Sequence, residues 1–529
     1  MCIEHRVMDT ITCHCEELTD ENALLRDRNQ QLEEEVCWLK EQFLKSKQKL
    51  FGCSSERTDA AQCEMLFNEA EVSGDSKAPV VEEIIYTRRK KSIGHREEML
   101  ADLPVETREY RLPEEEQVCS CCGGRLHEMS VEERKELKIV RPQVKVISHV
   151  RYVYSCRHCE RHEIETPIVK ADAPPAFIEK SLASPSAVAY IMGMKFVEGM
   201  PLYRQEQSFG RMGIGLSRSL LSNWVLLGGE MLDPIYSRMK EKLIGLDILH
   251  ADETTLQVLR EPGRKAESKS YMWMYRSGRD GPPMAVFEYQ PGRDGEYPKR
   301  FLSGFSGYLH ADGYQGYHNL PGIRLVGCWS HARRGFMDAL KILPKGQRND
   351  PKHLVNIALA YINRLFEIER ELHDVTSQER KAGRERLSVS VVESFKAWLD
   401  EQSPRALPKS QLGQAIRYCL NQWPKLTVFL ADGRLELDNN RSERTIKPFV
   451  IGRKNWLFAN TPRGARVSAL IYSIVESAKE NGLDPTSYLE YLFERLPGID
   501  SGDKNALDRL LPWSEDVRSA LSAPGTPTA

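Results

Sequence analysis

The sequence has no long hydrophobic run and almost no net charge, and these two absences exclude several classes of protein. No stretch of about 18 apolar residues occurs in the 529 residues, so we expect no membrane span. The first 17 residues contain acidic side chains and no apolar signal core, so we expect no export. Because 74 basic residues nearly balance 76 acidic ones, nucleic acid could be bound only through local basic patches.

The composition is that of an ordinary globular protein, with 41% hydrophobic and 28% charged residues. The length corresponds to roughly three or four domains. Thirteen cysteines in a chain without a signal peptide argue against a disulfide scaffold. Metal binding, catalysis or burial remain as their uses.

Residues 16–46 lack proline and glycine and carry leucine at every seventh position. The repeated position holds Leu18, Leu25, Leu32 and Leu39, and the complementary position holds Asn22, Asn29, Val36 and Phe43. This heptad pattern predicts a coiled-coil dimerisation helix within residues 1–53, in which the asparagines favour a parallel dimer in one register. A solvated single helix is the alternative interpretation.

Two pairs of cysteines predict a zinc-binding ribbon over residues 111–170. The four thiols are Cys119, Cys122, Cys156 and Cys159, with 33 residues between the pairs. Two residues between cysteines let one turn aim both sulfurs at a tetrahedral ion, and four protein ligands would make the Zn²⁺ structural. Unligated cysteines are the alternative. Nearby substitutes as ligands are Cys121, His127, His158 and His162.

Two further segments are candidates for DNA contact. Residues 54–110 form a polar linker whose basic run, residues 88–91, either contacts phosphate or is simply solvated. Residues 171–245 are predicted to be a helical DNA-binding domain. Within it, glycines at 213 and 215 separate two short amphipathic segments and place Arg218 at the start of the second. This fits a helix-turn-helix, although many helical hairpins share the pattern.

From residue 246 the hydrophobic period changes to two, which predicts a catalytic core over residues 246–482. The strand-like runs are Asp247–Ala251, Tyr271–Tyr275, Met284–Tyr289, Gly307–Ala311 and Ile323–Trp329. Their spacing predicts three strands joined by hairpins and two after crossovers, hence a mixed sheet with helices. Residues 331–430 are a predicted helical insertion. A last amphipathic helix ends near Gly482, before a C-terminal segment, residues 483–529.

Two near-identical tetrapeptides, Leu249-His-Ala-Asp252 and Leu309-His-Ala-Asp312, are predicted to end two of these strands. If the strands are neighbours, both carboxylates lie at one edge of the sheet and can share a divalent cation. Carboxylates suit Mg²⁺ or Mn²⁺, and a pair of such ions serves in-line phosphoryl transfer. A turn-forming or helix-capping role is the alternative for each aspartate.

The third carboxylate of such a site is predicted to be Glu443, on a short helix that Pro448 would end. Asp438 is the rival, although it is better placed as a helix cap. Residues 441–466 hold seven basic residues and one acid, a local charge of +6. We therefore predict contacts with the DNA backbone from Arg441, Arg444, Lys447, Arg453 and Lys454.

Together these motifs resemble the insertion sequence 66 family of DDE transposases. The resemblance rests on the cysteine pairs, both His-Ala-Asp segments, Cys328-Trp-Ser-His331 and residues 438–458, and it extends from residue 51 to residue 514. It implies a multidomain α+β protein with a ribonuclease-H-like core and Asp252, Asp312 and Glu443 as the acidic triad. Cys328 and His331 are a marker of the family, and we do not expect them to bind zinc. The extra thiol of Cys121 leaves the inner zinc ligand open.

The resemblance further implies a DNA transposase that binds terminal inverted repeats, cuts them with two Mg²⁺ or Mn²⁺ ions, and joins the freed 3′-hydroxyl to target DNA. We expect a homodimer or higher multimer in the bacterial cytoplasm, associated with the nucleoid when bound to DNA. Accessory proteins encoded by the same element are expected partners. The alternatives are a non-catalytic, zinc-dependent dimeric DNA-binding regulator and a ribonuclease-H-like nuclease that cuts without joining.

Overall fold

The computed structural model describes residues 143–155, 168–172 and 175–521, together with helical positions 25, 28, 39 and 43. The predicted zinc ligands Cys119, Cys122, Cys156 and Cys159, the linker over residues 54–110 and most of the predicted coiled-coil seam lie outside the described residues. The described chain forms two compact units: residues 233–480, and residues 143–232 together with 481–521. No helix among the described residues is long and apolar enough to cross a membrane.

The second of these units begins with a two-stranded antiparallel sheet of β1 (Val153–Ser155) and β2 (Ile168–Lys170). Apolar residues alternate along Val144–Tyr154, a pattern that predicts a strand beside the cysteine pairs, but residues 144–152 have no regular structure. Three helices follow: α1 (Pro185–Phe196), α2 (Leu202–Arg211) and α3 (Arg218–Met231). The predicted helical hairpin is thus confirmed as a structure. Ser217 caps α3 by accepting the Leu220 N–H, and Arg218 is exposed.

The first unit is built on a mixed five-stranded sheet, as predicted. It contains α4 (Asp233–Ile244), β3 (Ile248–Gln257), β4 (Lys269–Ser277), β5 (Ala285–Gln290), α5 (Glu296–Phe301), β6 (Gly307–His310) and β7 (Ile323–Val326). The strand order is β5-β4-β3-β6-β7. Strands β3 to β5 pair antiparallel as hairpins, whereas β6 and β7 run parallel to β3 after crossovers.

Residues 331–430 are mainly helical, as predicted. The helices are α6 (Trp329–Ile342), α7 (Leu354–Glu371), α8 (Ser377–Gln402) and α9 (Gln411–Leu426). They pack around the fully buried ring of Trp329, whose indole N–H donates to the Leu426 carbonyl at 2.8 Å. The prediction that a strand runs to Trp329 was therefore wrong, because this residue begins a helix whose apolar face forms the core of the insertion.

Two helices complete the unit: α10 (Asn440–Trp456) and α11 (Pro462–Glu480). Pro448 was predicted to end α10 but lies inside it. A proline inside a helix costs about 3 kcal/mol, and the burial of Ile446 and Phe449 on either side outweighs that cost. Helix α11 ends just before Gly482, as predicted, and this glycine has a positive φ of 72°.

Helix α11 covers the edge of the sheet at β5. The backbone N–H groups of Phe287 and Ala285 donate to the hydroxyls of Ser473 (2.8 Å) and Ser477 (3.0 Å). An unpaired strand edge would otherwise expose these groups to association with other chains. The small side chains on α11 therefore serve as hydrogen-bonding partners of the edge strand.

The described part of the chain ends with α12 (Pro485–Arg495), α13 (Lys504–Arg509) and α14 (Glu515–Leu521), which belong to the same unit as α1 to α3. Helix α12 packs on α1 at Gly193, where an added Cβ would lie 2.3 Å from the Thr486 hydroxyl oxygen. A larger residue at 193 would force the Thr486 side chain to move.

Candidate active site

Asp252 lies in the middle of β3 and not at its end as predicted, because the strand continues to Gln257. It pairs with Met274 of β4 and therefore shares a face of the sheet with Arg276, two residues further along that strand. The Arg276 guanidinium donates to the Thr445 hydroxyl of α10 and to Glu480 of α11. The face that carries Asp252 is thus the face covered by α10.

The two His-Ala-Asp segments lie side by side. Strands β3 and β6 are parallel neighbours in which Leu249 pairs with Leu309 and His250 with His310. Asp312 follows His310 by two residues, as Asp252 follows His250, and its charge acts on the Asp252 carboxyl to raise the pKa of that group. Asp312 lies just beyond β6, as predicted, and accepts the Tyr314 N–H at 2.9 Å.

The histidines of the two segments form a buried stacked pair. Their rings lie 4.1 Å apart with an interplanar angle of 7°. Burial lowers the pKa of His250 to about 3 and the pKa of His310 well below its usual range, so both rings are neutral at pH 7. The pair fixes β3 against β6 beneath the two aspartates.

Asn439, the cap residue of α10, joins that helix to the sheet. Its side-chain oxygen lies 3.0 Å from the His250 Nδ1, and its side-chain nitrogen donates to the Ala251 carbonyl at 2.9 Å. Its backbone N–H donates to the Cys328 thiol at 3.2 Å. Burial raises the pKa of this thiol to about 12, so it accepts the bond as a neutral group. These contacts place Glu443 one turn along α10 from the level of Asp252.

The Glu443 carboxylate faces α6, where its Oε2 lies 3.5 Å from the Arg334 Nη2 and its Oε1 lies 3.8 Å from the His331 Nδ1. This carboxylate oxygen and this ring nitrogen are both buried, and neither has a hydrogen-bond partner among the described residues. Burial and the Arg334 charge lower the pKa of His331, which disfavours a compensating positive charge there. Glu443 therefore has an unsatisfied oxygen at the site.

The acids influence one another electrostatically. Burial raises the pKa of Asp252 well above its usual range, and the charges of Glu253, Asp312 and Glu443 raise it further. A bound cation would relieve this repulsion. Among the described residues, no three His, Cys, Asp or Glu side chains are already arranged around one ion.

Both carboxylate oxygens of Asp438, the rival third acid, accept hydrogen bonds at the start of α10. One carboxylate oxygen accepts the Asn440 N–H at 3.0 Å and the other accepts the Ser330 hydroxyl at 2.9 Å. These bonds agree with the capping role expected from the sequence. Glu443 therefore remains the better candidate for the third ligand.

Glu253 supports the opposite face of β3, a role that the sequence did not reveal. Its buried carboxylate accepts the Tyr317 hydroxyl at 2.6 Å and the Arg293 Nε–H at 2.8 Å. The Arg293 guanidinium lies 3.9 Å from the centroid of the Tyr314 ring. Because both tyrosines follow Asp312 closely, these contacts tie the loop of the second aspartate to the strand of the first.

The predicted DNA-contacting residues differ in their exposure and in the contacts that their side chains make. Arg441 is paired with Glu436 at 2.8 Å, and Arg453 donates to the Thr255 hydroxyl at 3.1 Å. The side chains of Arg444 and Lys454 are exposed, and that of Lys447 is half-buried. Contact with DNA stays a prediction for all five, as it does for Arg218.

Models of known families match almost the whole chain. A model described as the transposase IS66 family matches residues 180–467, which include all three acids. The zinc-finger binding domain of transposase IS66 matches residues 116–160, and the IS66 C-terminal element matches residues 473–513. A further model, described as transposase C of IS166 homeodomain, matches residues 38–108.

Three similar proteins come from Sinorhizobium fredii, and each carries the description of an uncharacterized protein. The protein y4jD is 32% identical over 414 residues, covering 76% of this chain and 78% of the relative. The protein y4qI is 34% identical and y4hP is 30% identical, each over 422 residues covering 76% of this chain and 74% of the relative. The similarity therefore spans most of both chains in each comparison.

Proposed function

Since the chain belongs to the IS66 transposase family, we propose that it is an active DNA transposase with Asp252, Asp312 and Glu443 as its catalytic carboxylates. It would bind the terminal inverted repeats of its element, cut the DNA ends and join them to target DNA. The observation that carries this proposal is the in-register pairing of the two His-Ala-Asp segments beneath the helix that bears Glu443.

We further propose that the sheet is the centre of a ribonuclease-H-like core. Three antiparallel strands followed by two parallel ones, in the order β5-β4-β3-β6-β7, support this assignment. In such a core the first strand lies in the middle of the sheet and carries the first acid, as β3 carries Asp252. The helical insertion then returns the chain to the sheet with the third acid on α10.

The residues present suit two Mg²⁺ or Mn²⁺ ions. The donors are carboxylate oxygens, the ligands that hard divalent cations prefer, and the buried unpartnered oxygen of Glu443 fits such a role. When bound, such ions activate the attacking oxygen and stabilise the leaving one. Asp252, Asp312 and Glu443 would hold them, while the His250–His310 pair and Asn439 keep the three acids in position.

The reaction would consist of two phosphoryl transfers. Water attacks the phosphorus at the element end, the bond from phosphorus to the 3′-oxygen breaks, and a 3′-hydroxyl is freed. That hydroxyl then attacks a target phosphate and displaces the 3′-oxygen of the target strand. No covalent bond between protein and DNA is required.

The remaining parts of the chain would serve DNA binding and assembly. The zinc-finger match supports a structural Zn²⁺ held by Cys119, Cys122, Cys156 and Cys159. Arg218, on the helical hairpin, would contact the repeats, and the basic residues of α10 would contact the backbone. We propose a dimer or higher multimer through the N-terminal heptads, with accessory proteins of the element as partners, acting at the bacterial nucleoid in the cytoplasm.

The test is to incubate the purified chain with a labelled element end and Mg²⁺, and to score nicking and joining separately. Asp252→Ala, Asp312→Ala and Glu443→Ala should each reduce the rate of cleavage by at least about a hundredfold. Binding to the element end should persist in all three variants. Asp438→Ala should keep measurable cleavage. A variant of the triad that cuts at the normal rate would remove that residue from the site.

The products separate the alternatives. Binding without any metal-dependent nicking would identify a DNA-binding regulator, and nicking without joined products would identify a nuclease. Joined products that require Mg²⁺ and all three acids are the result that this proposal predicts.

A further inference from the structure

Two large hydrophobic side chains project into solvent at the C-terminal end of α10. Leu457 is 66% exposed and Phe458 is 41% exposed, and they are the exposed large hydrophobics among the described residues of the unit over 233–480. Elsewhere in this unit large apolar side chains are buried or half-buried. We call residues 456–459 the apolar tip.

The backbone of the apolar tip is strained and held in place. Leu457 has φ 66° and ψ −45°, and the Phe458 N–H donates to the Trp456 carbonyl at 2.8 Å. This is the classic γ-turn, a rare and strained conformation for a residue with a side chain. Such strain persists only where the surrounding structure imposes it, and it often accompanies function.

Contacts on both sides of the turn impose this conformation. On one side, the Ala459 N–H donates to the Gln257 carbonyl at 2.9 Å, and Ala459 forms a parallel bridge with Val258, directly after β3. On the other side, the Trp456 ring folds over Gly452, where an added Cβ would lie 2.5 Å from it. The tip is therefore a rigid projection from the strand that carries Asp252.

The surroundings of the tip are cationic. Residues 254–260 and 453–463, which meet at the Val258–Ala459 bridge beside the tip, contain four basic residues and no acid. These are Arg260, Arg453, Lys454 and Arg463, and three of them, Arg260, Lys454 and Arg463, are exposed. An apolar projection flanked in the chain by basic residues suits a polyanion with apolar faces between its charged backbones, which is the chemistry of stacked bases in DNA.

We propose that Leu457 and Phe458 insert between stacked bases of the duplex whose strand is cut, as a wedge that unstacks one base step. This inference rests on the proposed function. The 14 residues from Glu443 to Leu457 span about 21 Å of helix, and the six from Asp252 to Val258 span about 20 Å of strand. At about 3.4 Å per base pair, the unstacked step lies about six base pairs from the cut phosphate.

The experiment uses the full-length chain with Asp252→Asn, so that DNA is bound and not cut. The probes are duplexes of the element end with its flanking DNA, each with one 2-aminopurine at a different distance from the cut, because its fluorescence rises when it unstacks. We expect a rise confined to about six base pairs from the cut. The double variant Leu457→Ser, Phe458→Ser should lose this rise and bind about tenfold more weakly.

Three single variants separate the wedge from charge and from backbone effects. Phe458→Trp keeps an apolar ring and should keep the fluorescence rise. Lys454→Ala should weaken binding and reduce its salt dependence, yet keep the rise on bound DNA. Leu457→Gly relieves the strained backbone, so it should unfold at an equal or higher temperature while the rise falls.

The outcomes separate this inference from the proposed function. If the native chain neither binds nor cuts the element end, the proposed function fails and the wedge fails with it. Two results would overturn only the wedge. In the first, the native chain cuts normally but no 2-aminopurine position gains fluorescence on binding. In the second, the double variant gives the same fluorescence rise as the native tip. The double variant could instead lose self-association while the rise in 2-aminopurine fluorescence stays unchanged. That result would assign the tip to contact between copies of the chain and would contradict the wedge.

Discussion

Asn439 shows how a single buried amide can set the geometry of a candidate active site. It is 2% exposed and connects the carbonyl before Asp252, the ring of His250 and the thiol of Cys328 to the start of the helix that carries Glu443. None of these partners lies near it in the sequence. A hydrogen-bonding residue at a helix start is easily recognised in a sequence. Its partners are not, because they lie 111 to 189 residues away along the chain.

We expect Asn439→Ala to be strongly destabilising. It leaves the Ala251 carbonyl and the His250 ring buried without partners, and each unsatisfied buried group costs about 1–3 kcal/mol. The free energy of unfolding, measured by urea denaturation, should therefore fall by about 2–6 kcal/mol. Asn349→Ala, in an exposed loop, is the control and should change it by less than about 0.5 kcal/mol. Equal stability of both variants would contradict the role of Asn439.

At the scale of secondary-structure elements, period-two patterns and turn-rich separators were enough to predict all five strands of the main sheet. Besides the strand predicted to run to Trp329, two boundaries were wrong for physical reasons. Asp252 was predicted to end its strand because it follows an apolar run and a turn was expected after it, yet Glu253-Thr-Thr255 pair fully with β4. Pro448 is tolerated inside α10 because tertiary packing overrides the local preference. Such packing cannot be deduced from local sequence alone.

The covering of β5 by α11 leads to a second prediction about stability. Ser473→Ala removes the acceptor of the buried Phe287 N–H, and we expect it to lower the free energy of unfolding by about 1–3 kcal/mol. Ser468→Ala is the matched control, because the Ser468 hydroxyl bonds only to the Gly464 carbonyl of its own helix. Thermal or urea unfolding of both variants is the measurement. A larger effect at Ser468 would show that the edge is not held by Ser473.

At the scale of the whole molecule, the site joins segments far apart in the chain. The motifs were sufficient to identify the family and to propose the three acids. They could not show that Glu443 lies against Arg334 and His331 of the helical insertion, because that contact depends on how four helices pack around Trp329. The insertion therefore contacts Glu443 as well as separating the second candidate acid from the third.

The zinc module gives a prediction for the complete chain. Purified protein should contain about one zinc ion per chain, because four thiolates close the coordination shell. Cys122→Ser and Cys156→Ser should each lose the metal and weaken end binding, whereas Cys121→Ser should retain both. Metal analysis by mass spectrometry and a binding titration are the measurements. Zinc lost from Cys121→Ser but kept by Cys122→Ser would instead make Cys121 the inner ligand.

The central claim is that Asp252, Asp312 and Glu443 gather around shared divalent ions. It can be tested by replacing Mg²⁺ with Fe²⁺ and adding ascorbate and peroxide, so that hydroxyl radicals cut the polypeptide next to the bound metal. We predict cuts close to residues 252, 312 and 443 together, suppressed by excess Mg²⁺ and lost in Asp252→Asn. Cuts near only one of these residues, or a pattern that ignores Mg²⁺ and the substitution, would contradict the claim.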